Sequence, residues 1–520
     1  MNLSMADRAA PFPPAADEPL APTDLSPKEA RTVVGFALFV VVGLAAMHRS
    51  FGHIGIPALN FYIAEATTLA AVLYRPSRMA LFDAIRWMVL PGRLHVLSWS
   101  VAAFIGYGLF QAIRGYRLNH NFFDVLKTFT LNYYTIYLFL GLWAARVRPD
   151  LLRRFVMWAA WVNASFGVIF VFVLRRGDIA LPFSDAVLSG PRASAISILG
   201  ILCFVPDPRR YWYLIAANFV TMIGQQVRAE WIGFTLALLV WSVLTRRVRP
   251  LLIGAVALLL LSVVISALNL RIQANVTRGG YVTPAGVAAR MVAPFNEDLA
   301  EQLAPPELTS AVAGTADWRQ TWWKGIWRGV NQEQGRQLLG YGYGYELRQL
   351  GVNVEEDTRT PHSVFFFALG YTGFVGVALF ALLFIQLGRL LLRVHRLTGN
   401  PFGISLFTLS LAMSLFDNFF ETPLSALPFY ALAGACLAPL FDSTRREGER
   451  AELVDDEELE LLLEREGERE RDRQRDGAAE LEDATPPAAT RPLDGERNAR
   501  RRLEQQALAR EARPRRRPGR

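Results

Sequence analysis

Cysteine and lysine are almost missing from this chain of 520 residues. There are two cysteines, and three lysines (Lys28, Lys127 and Lys324) stand against 52 arginines. Cys203 and Cys436 both lie in apolar runs, which excludes a secreted scaffold stapled by disulfides. The six histidines, His48, His53, His95, His120, His362 and His395, are scattered without ligand spacing, so no Cys/His zinc centre is expected. No repeat relates the two halves of the chain, as it does in many transporters. A basic segment is missing ahead of the first apolar run, which is therefore read as a retained span and not a cleaved signal.

What is present is an apolar body carrying a charged tail. The mean hydropathy of +0.22, the 20% of charged residues and the net charge of +8 average the two. Residues 441–520 hold 19 arginines and 22 acidic residues, 41 of the 102 charges in the chain. Such a segment, with Pro-rich patches such as Thr485-Pro486-Pro487, cannot bury enough apolar surface to fold alone. It is read as mostly disordered, with a charged helix possible only over 452–470. Its basic end, Arg513 to Arg520, suits anionic lipid or nucleic acid by charge. Arginine is so much the habit of this chain, however, that no nucleic-acid partner is expected.

A spanning helix needs about 20 mostly apolar residues. Twelve stretches qualify: 32–47, 54–74, 94–113, 124–145, 155–174, 190–205, 211–227, 229–245, 250–269, 361–388, 401–416 and 422–441. The fold class expected is all-α: a polytopic membrane protein of about twelve transmembrane helices. One long outer loop with amphipathic helices and a disordered charged C-terminal tail complete it. Sixteen arginines fall in one set of short loops, and seven (Arg49, Arg114, Arg117, Arg175, Arg176, Arg192 and Arg228) in the alternate set. The positive-inside rule makes the richer set cytoplasmic. The expected division is then a disordered cytoplasmic N-terminus over 1–31, helices one to nine over 32–269, and the outer loop over 270–360. Helices ten to twelve follow over 361–441, and the cytoplasmic tail over 442–520.

The outer loop carries the chemistry. After a polar stretch over 271–316, Trp318, Trp322, Trp323, Ile326, Trp327 and Val330 recur near helical spacing and predict one apolar face. Such tryptophans suit the headgroup region, with Arg319, Lys324 and Arg328 largely off that face and able to meet phosphates. Gly340-Tyr341-Gly342-Tyr343-Gly344-Tyr345 permits positive φ and close backbone approach. It reads as a tight turn more than a ligand cradle. Thr360-Pro361-His362-Ser363 opens the tenth span, with Pro361 suited to a first helical turn. The positive helix end there favours neutral imidazole, the form a general base requires.

Arg192, Arg228 and Arg319 gather on the same outer face. An arginine near the bilayer is costly unless paired or functional, and its planar fork suits phosphate oxygens. Asp417, Asn418 and Glu421 sit between spans eleven and twelve on that face and are expected to pair with those arginines. Glu65 is read as a separate acid within the second span, in a buried pair.

In this order the features resemble the O-antigen ligase/O-antigen polymerase family of bacterial membrane glycosyltransferases, a GT-C-like group. The resemblance rests on Gly190-Pro191-Arg192-Ala193-Ser194, on Arg228 at the start of a span, and on Arg319 followed by Trp322 and Trp323. It continues through Gly340 to Gly344, Pro361-His362-Ser363, Tyr371-Thr372-Gly373-Phe374-Val375-Gly376, and Asn418 with Glu421 and Pro423. It covers roughly 180–440. Two departures are Val227 before Arg228, where the family often has serine, and Ser363, where it often has asparagine.

The resemblance implies a glycan donor on undecaprenyl diphosphate at the periplasmic leaflet of the bacterial inner membrane. It implies a sugar hydroxyl acceptor, on lipid A–core for a ligase or on another lipid-linked chain for a polymerase. His362 would act as base, with Arg228 and Arg319 beside it. Arg192, Arg228 and Arg319 would hold the diphosphate, with Asp417, Asn418, Glu421, Gly342 and Gly344 in support. No cofactor and no metal are implied, in keeping with the missing Asp-rich motif. The alternatives left open are an O-antigen or exopolysaccharide polymerase using the same donor and, more distantly, a lipid-linked oligosaccharide flippase.

Overall fold

The computed structural model describes residues 25–56, 61–89, 95–174, 179, 190–268, 272–273, 281–293, 296–304, 309–351 and 360–440. All of them lie in the first of the two compact units into which the chain divides, Met1–Thr444. The tail, with its candidate helix over 452–470 and its basic end, lies outside the described residues. So do Arg93, Arg175 and Arg176.

The described chain is a bundle of helices. They run α1 (Pro27–Met47), α2 (Arg49–Gly52), α3 (Ile63–Leu73), α4 (Arg75–Val89), α5 (His95–Arg117), α6 (Phe122–Tyr133), α7 (Tyr137–Val147), α8 (Leu151–Val168), α9 (Ser194–Phe204), α10 (Trp212–Gln225), α11 (Arg228–Thr245) and α12 (Arg249–Ala267). Three loop helices follow: α13 (Pro284–Val292), α14 (Glu297–Leu303) and the long α15 (Thr309–Asn331). The chain closes with α16 (Gln334–Leu339), α17 (Val364–Thr398), α18 (Phe402–Phe416) and α19 (Pro423–Cys436). Among the described residues, strand is confined to two antiparallel two-residue pairs, Gly55–Ile56 with Phe61–Tyr62 and Ile272–Gln273 with Tyr281–Val282.

Among the described residues, five helical stretches are long and apolar enough to cross a membrane: 27–47, 95–117, 151–174, 228–245 and 364–398. Four shorter apolar helices are 63–73, 194–204, 402–416 and 423–436. Several expected boundaries move. The first helix starts at Pro27, inside the segment read as a loose N-terminus. The Ser26 hydroxyl accepts from the Glu29 amide at 3.2 Å, and the Glu29 carboxylate accepts from the Ser26 amide at 2.9 Å, a capping box that fixes the start. The stretch 124–145 is broken at Tyr134–Ile136 by a 3-10 turn. The stretch 54–74 keeps only α3, so Glu65 stands in a first helical turn and not in mid-span. There it accepts from the Tyr62 amide at 3.2 Å and the Tyr134 hydroxyl at 3.5 Å. The polar 271–316 region is not featureless, since it holds α13, α14 and the start of α15.

Small residues let the helices close on one another. A Cβ on Gly141 of α7 would sit 1.9 Å from the Ala431 carbonyl of α19, and one on Gly434 would sit 2.0 Å from the Leu138 carbonyl. Backbone contact of this kind replaces the hydrophobic drive that lipid does not supply between helices.

The α17 helix carries the decisive irregularity. Gly373 adopts φ 64° and ψ −166°, a conformation essentially reserved for glycine, and breaks the helix. The carbonyls ahead of the break find new donors. The Gly370 carbonyl accepts from the Tyr341 amide at 2.8 Å, and the Tyr371 carbonyl from the Gly342 amide at 3.0 Å. The Thr372 carbonyl accepts from the Tyr107 hydroxyl at 2.7 Å. Across from it, Arg114 donates to the carbonyls of Leu339 and Gly340 at 2.8 and 3.0 Å, closing the exposed end of α16. Gly340, Gly342 and Gly344 all take positive φ. The Gly-Tyr run is thus a splice that fastens the segment after α16 to α5 and α17. The Tyr343 hydroxyl reaches the buried Asn132 amide oxygen, and the Tyr343 carbonyl lies 2.7 Å from His120 Nδ1.

Candidate active site

Arg192 is placed by buried amides. It precedes α9, whose start is pinned by Asn163 of α8. The Asn163 amide group donates to the Ser194 hydroxyl at 2.8 Å and to the Asn218 side-chain oxygen at 2.7 Å, and its oxygen accepts from the Ala193 amide at 3.2 Å. The α9 start is also tied to α11, because the Ala195 amide donates to the Glu230 carboxylate at 3.3 Å. Burying such polar groups is costly unless they are bonded, so the network holds the loop in one arrangement.

From this anchorage Arg192 Nη1 donates to Asp417 Oδ2 at 2.9 Å, with the two side chains 20% and 14% exposed. The other Asp417 oxygen lies 3.5 Å from His362 Nδ1 and accepts from the Asn418 amide at 2.9 Å. Burial works to raise the Asp417 carboxyl, but the Arg192 guanidinium, the His362 ring and the Asn418 amide outweigh it. Together they hold it well below the usual carboxylate range. Asp417 is therefore a fixed negative charge between an arginine and a histidine.

His362 does not stand inside the helix that follows it. That helix starts at Val364 with Ser363 as N-cap, so Pro361 precedes the first turn instead of filling it. His362 has φ 51°, a left-handed backbone uncommon outside glycine. Its ring meets Trp318 edge to face at 5.8 Å, while the Trp323 indole N–H donates to the Pro361 carbonyl at 2.7 Å. The tryptophan helix α15 thus clamps the histidine segment from one side.

Arg319 comes from the same helix. Its guanidinium lies 5.3 Å from the centre of the Trp318 ring, and Nη1 approaches the Phe416 carbonyl at 3.4 Å, next to Asp417. Its Nε is buried with no hydrogen-bond partner among the described residues. Burial pulls the Arg319 guanidinium down and the Asp417 charge pushes it up, so the group remains a cation with unmet donors.

The remaining expected residues fall in different places. Arg228 opens α11, half-buried, two residues before Glu230. Glu421 is buried, and no arginine pairs with it among the described residues. Burial and the nearby Asp417 charge push its carboxyl well above the usual range, against the Thr360 hydroxyl, so the neutral form is favoured there. The acid that meets an arginine is Asp417, and Asn418 contributes a backbone amide. Gly342 and Gly344 belong to the splice described above.

Sequence reasoning passed over His48 and Arg49. The α1–α2 corner is folded onto the start of α19, where a Cβ on Gly52 would sit 1.9 Å from Leu424. This brings both residues into electrostatic range of Arg192 and Asp417. Burial, then Arg192 and Arg49, hold the His48 imidazole well below its ordinary value, hence neutral. The only signal in the sequence was a basic pair at the outer end of the first span.

Arginines from the first helical corner, the segment before α9 and α15 converge around Asp417 and His362, at the ends of apolar helices. This defines a helical membrane protein with an anion-attracting site that carries a candidate base. Residues 212–381 match the family model described as O-antigen ligase, which supports an enzyme of the O-antigen ligase/polymerase glycosyltransferase type in a general sense. No curated protein gives a match to the chain.

Proposed function

We propose that the chain is an inverting, metal-independent glycosyltransferase of the ligase type. It moves a glycan from undecaprenyl diphosphate to a sugar hydroxyl on lipid A–core. The site faces the periplasm of a bacterial inner membrane, with both chain termini cytoplasmic, an orientation supported by the inner-loop arginine excess. The observation that carries the reading is the contiguous set Arg192–Asp417–His362 with Arg319 stacked on Trp318 beside it.

His362, oriented through Nδ1 by Asp417, takes the acceptor hydroxyl proton on its other ring nitrogen. The hydroxyl oxygen attacks the anomeric carbon from the face opposite the diphosphate. The carbon–oxygen bond to the diphosphate breaks, and the leaving group departs with the electron pair. Arg192, Arg228 and Arg319 receive the growing negative charge, which preorganised donors in a dry site stabilise best. Arg49 adds a further positive charge at the same rim.

The test is a lipopolysaccharide gel of a deletion strain carrying wild-type or His362→Ala protein. The expected result is bare core with accumulated lipid-linked glycan for the variant, at normal membrane insertion. Full capping of the core by His362→Ala removes the histidine from the mechanism. Core capped by a single repeat in the deletion strain moves the assignment to the polymerase reading.

A further inference from the structure

We infer that the outward face of α15 is a binding site for an anionic sugar of the acceptor, one that carries a phosphate or carboxylate. The inference rests on the glycosyl-transfer reading above and names a part of its acceptor side.

The face is set by helical periodicity. Trp322, Ile326 and Val330 are fully buried and seat the helix on the bundle. Gln320, Trp323, Lys324, Trp327 and Arg328 turn the other way and line, with Phe366, a cavity of about 280 Å³. The four tryptophans therefore do not form one membrane-facing stripe. Trp322 is buried and Trp318 packs on His362, while Trp327 is 46% exposed.

The cavity wall is rigid and joined to the histidine. Trp323 stacks on Phe366 at 5.1 Å and 11°, and Trp327 meets Phe374 edge to face at 6.0 Å. The Trp323 indole N–H bonds the Pro361 carbonyl, and Phe366 lies one helical turn beyond His362. Lys324 and Arg328 are exposed, and neither has a hydrogen-bond or ion-pair partner among the described residues.

Flat indoles offer a face to the C–H groups of a sugar ring, and two unpaired cations offer charge to an oxyanion on it. The volume is near the low end of the roughly 300–1,000 Å³ found for ligand pockets, which suits a single sugar unit. One helix thus serves both sides of the reaction, with Trp318 and Arg319 toward the diphosphate and Trp323 and Trp327 toward the acceptor.

The probe is mannose 6-phosphate against plain mannose, titrated onto the full chain in phosphatidylcholine nanodiscs and read by saturation-transfer NMR. The phosphorylated sugar should bind more tightly, and Trp327→Ala or Lys324→Gln with Arg328→Gln should weaken it about tenfold, ~1.4 kcal/mol. Trp327→Phe should retain binding, which separates loss of the ring from loss of folding. No binding to the wild type, or equal binding by the variants, overturns the proposal. So does a variant whose only defect is weaker association with phosphatidylglycerol vesicles, which would make the face a headgroup anchor. In transfer assays the acceptor KM should rise about tenfold while the donor KM stays constant. The binding measurement needs no turnover, so an active His362→Ala would sink the transfer reading without deciding this one.

Discussion

Replacing Asp417 by asparagine separates the two tasks this carboxylate performs. Asparagine keeps the shape and one acceptor oxygen but removes the charge that Arg192 meets at 2.9 Å and that His362 Nδ1 faces at 3.5 Å. Removing one partner of a buried ion pair costs roughly 3–5 kcal/mol. Here Arg192 keeps 20% of its side chain in contact with solvent and retains a neutral acceptor, so the loss should fall to about 1–3 kcal/mol. A protein of ordinary stability, about 5–15 kcal/mol, stays folded through that. The rate should suffer far more. A positioned base contributes about 10²–10⁴-fold, and without the carboxylate His362 loses the group that fixes its ring. The assay is initial-rate transfer in proteoliposomes at saturating donor, alongside thermal unfolding, with kcat expected to drop at least about 100-fold. The pH dependence follows from the direction of the shift. Because Asp417 is held below its ordinary value of 3.8, its contribution is complete above that value and is lost only as pH falls below it. The deficit of Asp417→Asn should therefore be the same at pH 5.5 and pH 8. A variant that keeps more than half of the wild-type kcat refutes the orienting role. A deficit that vanishes at pH 5.5 refutes the assigned charge state.

Glu421→Gln should raise the melting temperature at pH 8 and leave it unchanged near pH 4. The Glu421 carboxyl is pushed well above its ordinary 4.5, so the stability it allows is intact below that value and erodes as pH rises toward the shifted one. A melting temperature equally lowered at both pH values would mean that the carboxylate is paired after all. Gly373→Ala should destabilise by at least about 1–3 kcal/mol, because the residue leaves the glycine-only region and its Cβ would lie 2.4 Å from the Leu338 carbonyl. Chemical denaturation in detergent reads this, and a change under 0.5 kcal/mol, the size of an ordinary surface substitution, would mean that the break in α17 is dispensable. Arg228→Lys should lose transfer nearly as fully as Arg228→Ala, since a fork and not a point charge is needed. Near-normal turnover with lysine would reduce Arg228 to an electrostatic anchor.

The helical class was legible in the sequence, and Arg192, Arg319 and His362 stood out there, because each is written locally. Apolar runs of spanning length, an arginine beside Gly190-Pro191 and a histidine beside a proline need no partner to be noticed. What was not legible depends on contacts between distant segments. Asp417, Asn418 and Glu421 looked equivalent as acceptors, and only the packing of α18 against the α9 loop selects Asp417. Glu421, four residues on, is pushed in the opposite direction, toward the neutral form, by burial beside that charge. The Gly-Tyr run shows the same limit. Its glycines announced positive φ, but the reason lies 30 residues away at Gly373, where a broken helix leaves carbonyls to be satisfied.

Arginine in this chain does three different jobs that composition alone merges. The arginines of the short loops read as cytoplasmic would act by number, through the positive-inside bias, where any cation would serve. Arg114 acts by geometry, its fork spanning the Leu339 and Gly340 carbonyls at the open end of α16, where a single ammonium would reach fewer acceptors. Arg192 and Arg319 act by incompleteness. One carboxylate, Asp417, stands between them, Arg49 adds charge, and Arg319 keeps a buried donor without an acceptor among the described residues. A buried cation left short of acceptors is costly unless the missing anion arrives as substrate. The surplus of donors over acceptors, more than the number of arginines, is what supports the proposal that this rim receives a leaving diphosphate.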